Sequence, residues 1–417
     1  MDPYAMTTGV LRNPDFLRFL SSHVADELGA NISRVALPLV AVLALHAGPA
    51  EVGALSALQT AAFLLIGLPA GVWVDRMRKR RVMMATDFAR FLLIGSIPLV
   101  AQLGLLSIGM MFVVALLAGA SQVFNDVADQ TYLPELVGTG QLSDGNSKLE
   151  VVRSGAFLAG PGIGGALVQL FGAPSTLAAT ALGSLSSVLL LGLIKAPDKP
   201  PAVTERTSLM RGIREGLAYV WRDGLMRMFV ASTAAVNLST SAVLGLSVLF
   251  LADEVALPPG VVGVLLMTGG IGGLIGGLTG GWLSRRYGTA RMTWLAVSVA
   301  SPFGLLLPMT QADWRVVCFA TTSMALSWSA ALTNVGQITY RQTVTPEHLL
   351  GRVNASVRFM VWGIMPLGAL LGGLLAQQIG VREALWAIMT VRLLAFLPLL
   401  FSPLPRMRDF NELQARS

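Results

Sequence analysis

A chain of 417 residues, 54% hydrophobic and 13% charged, with a mean hydropathy of +0.66, is not a water-soluble globule. Membrane spans need about 20 apolar residues each, and such runs follow one another here with short gaps. The net charge of +7 does not point to nucleic acid, because the basic residues sit in turns between apolar runs rather than on one face. The single cysteine, Cys318, excludes a disulfide within the chain.

Twelve helical spans are predicted, near 17–45, 51–74, 81–102, 105–128, 147–170, 174–195, 226–251, 259–283, 290–309, 313–340, 352–378 and 381–402. Lys and Arg collect on one side of them: Arg12 and Arg18, the cluster in 76–81, the stretch from Lys195 to Arg227, then Arg285, Arg286, Arg291, Arg341, Arg352, Arg406 and Arg408. The opposite turns hold only Arg315 and Arg382. The basic side is therefore expected in the cytoplasm together with both termini.

Between spans six and seven, Pro197, Pro200 and Pro201 give a stiff extended lead. The segment TSLMRGIREGLAYVWRD then places Leu209, Ile213, Leu217 and Val220/Trp221 on one side, which predicts an amphipathic helix on the inner membrane surface. This divides the chain into a six-helix bundle (1–195), a cytoplasmic linker with an amphipathic helix (196–224), and a second bundle with a short cytoplasmic tail (225–417).

The two bundles are copies. With Asp75 set against Ser284, Gly67/Gly276, Gly71/Gly280, Trp73/Trp282 and Arg76/Arg285 coincide. At nearly the same offset Tyr132, Leu142, Asn146, Gly164 and Gly165 recur as Tyr340, Leu350, Asn354, Gly372 and Gly373. Parallel repeats with a cargo path near the membrane midplane are one known solution for secondary transporters.

Gly71 to Arg81 resembles the loop signature of the major facilitator superfamily, with Arg78 where that pattern usually has glycine. Gly160-Pro161-Gly162-Ile163-Gly164-Gly165 resembles the span-five signature of its drug–proton antiporters, with Ala156 in place of an earlier glycine. The stretches RNPDFLRFL, RVALPL, TYLPELV and GQITYRQTVTPEHLLGRVNAS are similar to the enterobactin-exporter and macrolide-efflux branch. The resemblance implies an all-α membrane protein of twelve helices in two pseudo-symmetric bundles, placed in a bacterial inner membrane. It also implies a cytoplasmic latch: Asp75 toward span eleven, and Arg76 or Arg80 toward the acids ending span four, Asp126 and Asp129. Asp75 follows a helix C-terminus, where an anion is unfavourable without a partner. Gly160, Pro161, Gly164 and Gly165 remove side-chain bulk and one backbone donor, which suits close packing and a bend.

Proton coupling needs an acid in a partly wet, low-dielectric site. On span one, His23, Glu27, Asn31, Arg34 and Pro38 fall within about 80° of arc, a polar stripe on an apolar helix. A charge at mid-membrane costs ~2.5–3.5 kcal/mol on insertion scales. Glu27, Asp26, Arg34, Asp126 and Glu150 are the coupling candidates, and a static ion pair is the competing reading for Glu27. Asp26 points about 100° away from Glu27, toward another helix. His23 reads as an interfacial residue, and Asp87/Arg90 and Glu150/Arg153 as local i,i+3 pairs. Span four lacks the intramembrane arginine of the related antiporter signature. Spans seven to twelve carry no acid well inside, so any titrating carboxyl belongs to the first half. For the cargo cavity the candidates are Asn31, Asn237, Trp328, Asn334, Gln337, Arg358 and Trp362, an assortment of amides, aromatic rings and one cation suited to bulky amphipathic cargo.

The expectation is a secondary active exporter, proton-coupled and working by alternating access, for drug-, siderophore- or natural-product-like molecules. Its partners are that small molecule, protons and the lipid bilayer, and it is expected as a monomer. An uncoupled exchanger or flippase for lipid-like molecules is the alternative, and a non-transporting receptor or scaffold the alternative of another class. No HExxH, GxSxG, nucleotide loop or Cys/His metal spacing is present, so neither an enzyme nor a cofactor is expected.

Overall fold

The computed structural model describes residues 10–138, 141–198 and 209–410, and among them finds helices and no strand. Among the described residues, eleven helices are long and apolar enough to cross a membrane. The chain divides into two compact units.

The first unit holds α1 (Pro14–Leu45), most of α2 (Pro49–Asp75), α3 (Lys79–Gln102), α4 (Ile108–Val137), α5 (Leu142–Phe171) and α6 (Ala173–Gly192). Asn13 starts α1 by accepting the Asp15 and Phe16 amides at 3.0 and 3.3 Å, with Pro14 at the first helical position. Helix α1 packs on α5 and α6, and α3 packs on α4 and α6. Their spacing rests on missing side chains: a Cβ at Gly183 would lie 2.8 Å from the Ala25 carbonyl. Arg78 takes the place of the family glycine at no strain, because its φ is −75° and it simply precedes α3.

The second unit contains α7 (Leu209–Arg222), α8 (Gly224–Leu249), most of α9 (Pro259–Tyr287), α10 (Thr289–Ala300), α11 (Val316–Val344), α12 (Glu347–Gly363), α13 (Met365–Ile379), α14 (Val381–Leu394) and α15 (Leu397–Leu400). Four expected spans are not uniform α-helix. Span seven closes in a π-helical turn, Phe250–Glu254. Span nine continues from α10 as a 3₁₀ segment, Ser301–Met309. Span eleven is broken between α12 and α13, where Pro366 has no amide to donate. Side chains of α8 reach the break: Asn237 donates to the Val361 carbonyl at 2.7 Å and Ser241 to that of Met365 at 2.6 Å. Span twelve is two pieces, α14 and α15, separated at Ala395–Phe396.

The boundary between units differs from the one expected. Residues 48–57, the first turns of α2, belong to the second unit, and residues 258–267, the first turns of α9, to the first. The exchanged segments are themselves repeat-related, at a shift of 210. Each is seated on a glycine: a Cβ at Gly165 would meet the Pro259 carbonyl at 2.4 Å, and one at Gly373 the Pro49 carbonyl at 2.7 Å. The duplication also keeps an aromatic pair in each unit, Phe19–Tyr132 at 5.5 Å and Phe229–Tyr340 at 5.4 Å.

The linker helix α7 lies over residues 209–222, inside the predicted segment, but its buried side meets protein. It packs on α12. Gly216 sits so close to Arg352 that a Cβ would be 2.5 Å from its carbonyl, Glu215 pairs with Arg352, and Tyr219 donates to the Val344 carbonyl at 2.6 Å. Val220 is buried, whereas Trp221, expected beside it, is 63% exposed. One residue is 100° of turn, enough to carry Trp221 off the packed side.

Candidate functional site

One cluster of charged side chains in the first unit spans three helices, α1, α4 and α5. Glu27 on α1 is the hub. Its Oε1 lies 3.6 Å from Arg153 Nε on α5 and 3.7 Å from His23 Nε2, one turn back on α1. The other face of the imidazole, Nδ1, lies 3.7 Å from Asp129 Oδ1 on α4. Arg153 also reaches Glu150 at 3.6 Å. The α1 stripe is thus split by its neighbours. Asn31 is buried, donates to the Glu27 carbonyl at 2.8 Å, and lies where a Cβ on Gly160 would come within 2.4 Å. It is a packed residue and not a cavity surface. Arg34 is exposed and stacks over the Phe157 ring at 5.6 Å.

A second network lies behind this one. Asp26 points away from Glu27, as the helical angle requires, and takes Arg90 NH1 of α3 at 2.5 Å. Asp87 stands 3.8 Å from the same guanidinium atom. The local Asp87/Arg90 pair is therefore the weaker contact, because α1 offers the closer acid. Asp87 instead accepts from Asn125 on α4 and, at 2.6 Å, from Ser187 on α6. Asp126 is exposed and accepts from Gln122 at 2.7 Å.

The latch residues are not brought together as expected. Arg80 donates to the carbonyls of Ile194 and Ala196, at 2.5 and 3.4 Å, just past the end of α6. They lie beside the negative end of the α6 dipole, a place that suits a cation. Asp129 faces His23 instead, and the acid ending α4 is met by Lys79, whose Nζ lies 3.2 Å from Glu135. Arg76 is exposed, and the Asp75 side chain lies outside the described residues. The glycine motif faces two neighbours: Gly160 and Gly164 meet α1, and Gly165 meets the first turns of α9. Helix α5 runs through Pro161 from Leu142 to Phe171 without ending there.

In the second unit the cavity candidates separate. Gln337 is buried and donates to Thr233 at 2.7 Å, Asn237 serves the break in span eleven, and Trp328 donates to Thr279 at 3.2 Å. Asn334, Arg358 and Trp362 are exposed, with the Arg358 guanidinium 4.5 Å from the Trp362 ring. Sequence reasoning missed Arg392. It is 6% exposed on α14 and donates to the Val236 carbonyl at 3.1 Å and the Thr240 hydroxyl at 2.7 Å, with no carboxylate partner among the described residues. A lone arginine inside the last apolar run was the available signal.

An all-helical chain built from two six-span repeats, with ionisable side chains held inside its spans, is a membrane transporter of the major facilitator superfamily and not an enzyme. Over residues 6–416 it belongs to the transmembrane secretion effector family of that superfamily. It is 28% identical to the multidrug efflux pump Tap of Mycolicibacterium fortuitum, covering 97% of this chain and 98% of that one. It is 30% identical to the enterobactin exporter EntS of Escherichia coli O1:K1 / APEC over 60% of this chain and 59% of that one. Among solved structures it is similar to the nucleoside transporter NupG (TM-score 0.77, 12% identity, 93% of this chain and 99% of that one). It is also similar to a bacterial homologue of the iron transporter ferroportin (TM-score 0.70, 18% identity, 94% and 99%). Those two share the fold.

Proposed function

We propose that this chain is a secondary active exporter of amphipathic small molecules, driven by protons that enter through the carboxylates of the first unit. The observation that carries the reading is Glu27, an acid inside the first span that meets His23 and Arg153 within 4 Å. An intramembrane ionisable residue costs too much to be kept as filler, and here it has exchangeable partners on two helices. Export is supported by the efflux pump and the siderophore exporter among the relatives. The exposed rings and guanidinium groups of Phe157/Arg34 and Trp362/Arg358 suit bulky amphipathic cargo. The protein works as a monomer by alternating access of its repeated halves, in a bacterial inner membrane with both termini in the cytoplasm. Asp75 and Arg76 keep the role of cytoplasmic latch.

The test uses proteoliposomes and ethidium, a cationic amphipathic dye. Imposing a pH gradient is expected to drive dye accumulation in wild type, and Glu27→Gln to lower the driven component by roughly a hundredfold while dye exchange persists. Wild-type accumulation that ignores the gradient overturns the coupling and leaves the uncoupled exchanger.

A further inference from the structure

His23 has a geometry that an interfacial residue does not need. Its ring stands between two carboxylates, Glu27 facing Nε2 and Asp129 facing Nδ1, both at 3.7 Å. Two of the four facing atoms, His23 Nε2 and Asp129 Oδ1, are buried and have no hydrogen-bond partner among the described residues. Buried polar atoms are nearly always satisfied, so a ring with an open atom on each side marks a contact made in another state. Each gap is less than 1 Å beyond hydrogen-bond length. The two acids differ in access: the Glu27 side chain is 21% exposed and that of Asp129 10%.

We propose that His23 is the proton shuttle of this transporter, linking an entry acid, Glu27, to an inner acid, Asp129. The inference rests on the proton-coupled reading above. In the step, the Glu27 carboxyl gives its proton to Nε2 while the proton on Nδ1 passes to the Asp129 carboxylate. One proton enters at Nε2 and one leaves from Nδ1, and the ring, now in its other neutral tautomer, resets by a ring flip that exchanges its two nitrogens. A neutral imidazole can accept a proton on one nitrogen while it donates one from the other, and imidazole is suited to transfer near neutral pH. Arg153 controls entry, because its Nε and the His23 Nε2 meet the same oxygen, Oε1 of Glu27.

The surroundings suit transfer. On α1 Asp26 is held by Arg90 of α3, which also faces Asp87; α4 brings Asp126 beside Asp129; α5 brings Glu150 and Arg153. Helix α6 contributes hydroxyl groups and no charge. Glu27 and Glu150 share one cation, Arg153, at 3.6 Å each, and Asp129 faces the imidazole itself. Acids that share a cation have room for protons.

The experiment compares ethidium exchange at equal pH with accumulation driven by a pH gradient, in proteoliposomes of wild type, His23→Gln and His23→Ala. His23→Gln is expected to keep exchange within about twofold and to lose gradient-driven accumulation roughly tenfold or more. Added imidazole is expected to restore part of the driven rate in His23→Ala and none in Glu27→Gln. Should either variant fail to fold, a His46→Gln/His348→Gln protein, in which His23 is the one histidine left, is treated with diethyl pyrocarbonate. Modification is expected to abolish the driven component, and hydroxylamine to return it. Driven accumulation in His23→Gln within twofold of a responsive wild type overturns the shuttle alone, as does a driven component that survives modification. A wild type indifferent to the gradient overturns the shuttle and the coupling together.

Discussion

The two units descend from one repeat but treat charge differently. In the first, acids lie within the spans at Asp26, Glu27, Asp87, Asp126, Asp129 and Glu150, and basic side chains reach several of them. In the second, the corresponding interior holds Arg392 on neutral acceptors, and amides and hydroxyls bond there to backbone, as at Asn237 and Ser241, or to other hydroxyls, as at Gln337. The repeat fixes helix packing in both, seen in the paired glycine seats at Gly165 and Gly373. The acids inside the spans have been laid on one copy. A charge network whose members exchange partners can respond to a proton, whereas hydrogen bonds to backbone carbonyls hold geometry.

The largest difference is expected from the arginines. Arg90 is buried and serves two carboxylates, so Arg90→Met leaves the buried Asp87 and the half-buried Asp26 without their cation. Removing one partner of a buried pair typically costs about 3–5 kcal/mol. Unfolding by SDS in mixed micelles measures it, and a loss below about 1 kcal/mol would show that the network is solvated and the contrast between units overstated. Restoring neutrality with Asp26→Asn in the same chain is expected to recover part of the loss.

A smaller effect is expected at the break in span eleven. Asn237→Ala removes the donor to the Val361 carbonyl, at a cost of about 1–3 kcal/mol if that carbonyl stays buried and unsatisfied. The change is expected to raise amide exchange around residues 361–366 and leave gradient-driven transport in place. Loss of driven transport would mean that the second unit takes part in coupling and that the division of labour is wrong.

Much of this architecture was legible because its causes are local and repeated. Apolar run length set the spans, and the offset joining Tyr132 to Tyr340 and Gly165 to Gly373 exposed the duplication. Helical angle separated Asp26 from Glu27 and sent it to a different helix. What could not be read was partner choice between helices. The i,i+3 spacing of Asp87 and Arg90 is visible in sequence, but the closer acid comes from α1 and two further donors from α4 and α6. Arg80 was assigned to the acids of α4, and the carbonyls just past α6 proved nearer. Asn31 lay on the polar stripe, yet the missing side chain of Gly160 lets it pack inside. His23 looked interfacial because nothing along α1 announces Asp129 across from it.

Arg392→Met is expected to have the smallest effect, and its smallness is the point. Taking a guanidinium out of water costs several kcal/mol, and its attraction to a carbonyl and a hydroxyl returns less of this than a carboxylate would. Methionine fills a similar volume and asks for no partner. Thr240 can turn its hydroxyl to a carbonyl of its own helix, as Ser239 does toward Ala235 at 2.9 Å. Val236 already sits in the α8 ladder, so its carbonyl keeps one bond. Stability is therefore expected within about 1 kcal/mol of wild type, or slightly higher, by the same SDS unfolding that reads Arg90→Met. A loss comparable to that of Arg90→Met would give Arg392 a buried anionic partner in the working protein, and the second unit a buried charge pair to set beside its exposed ones.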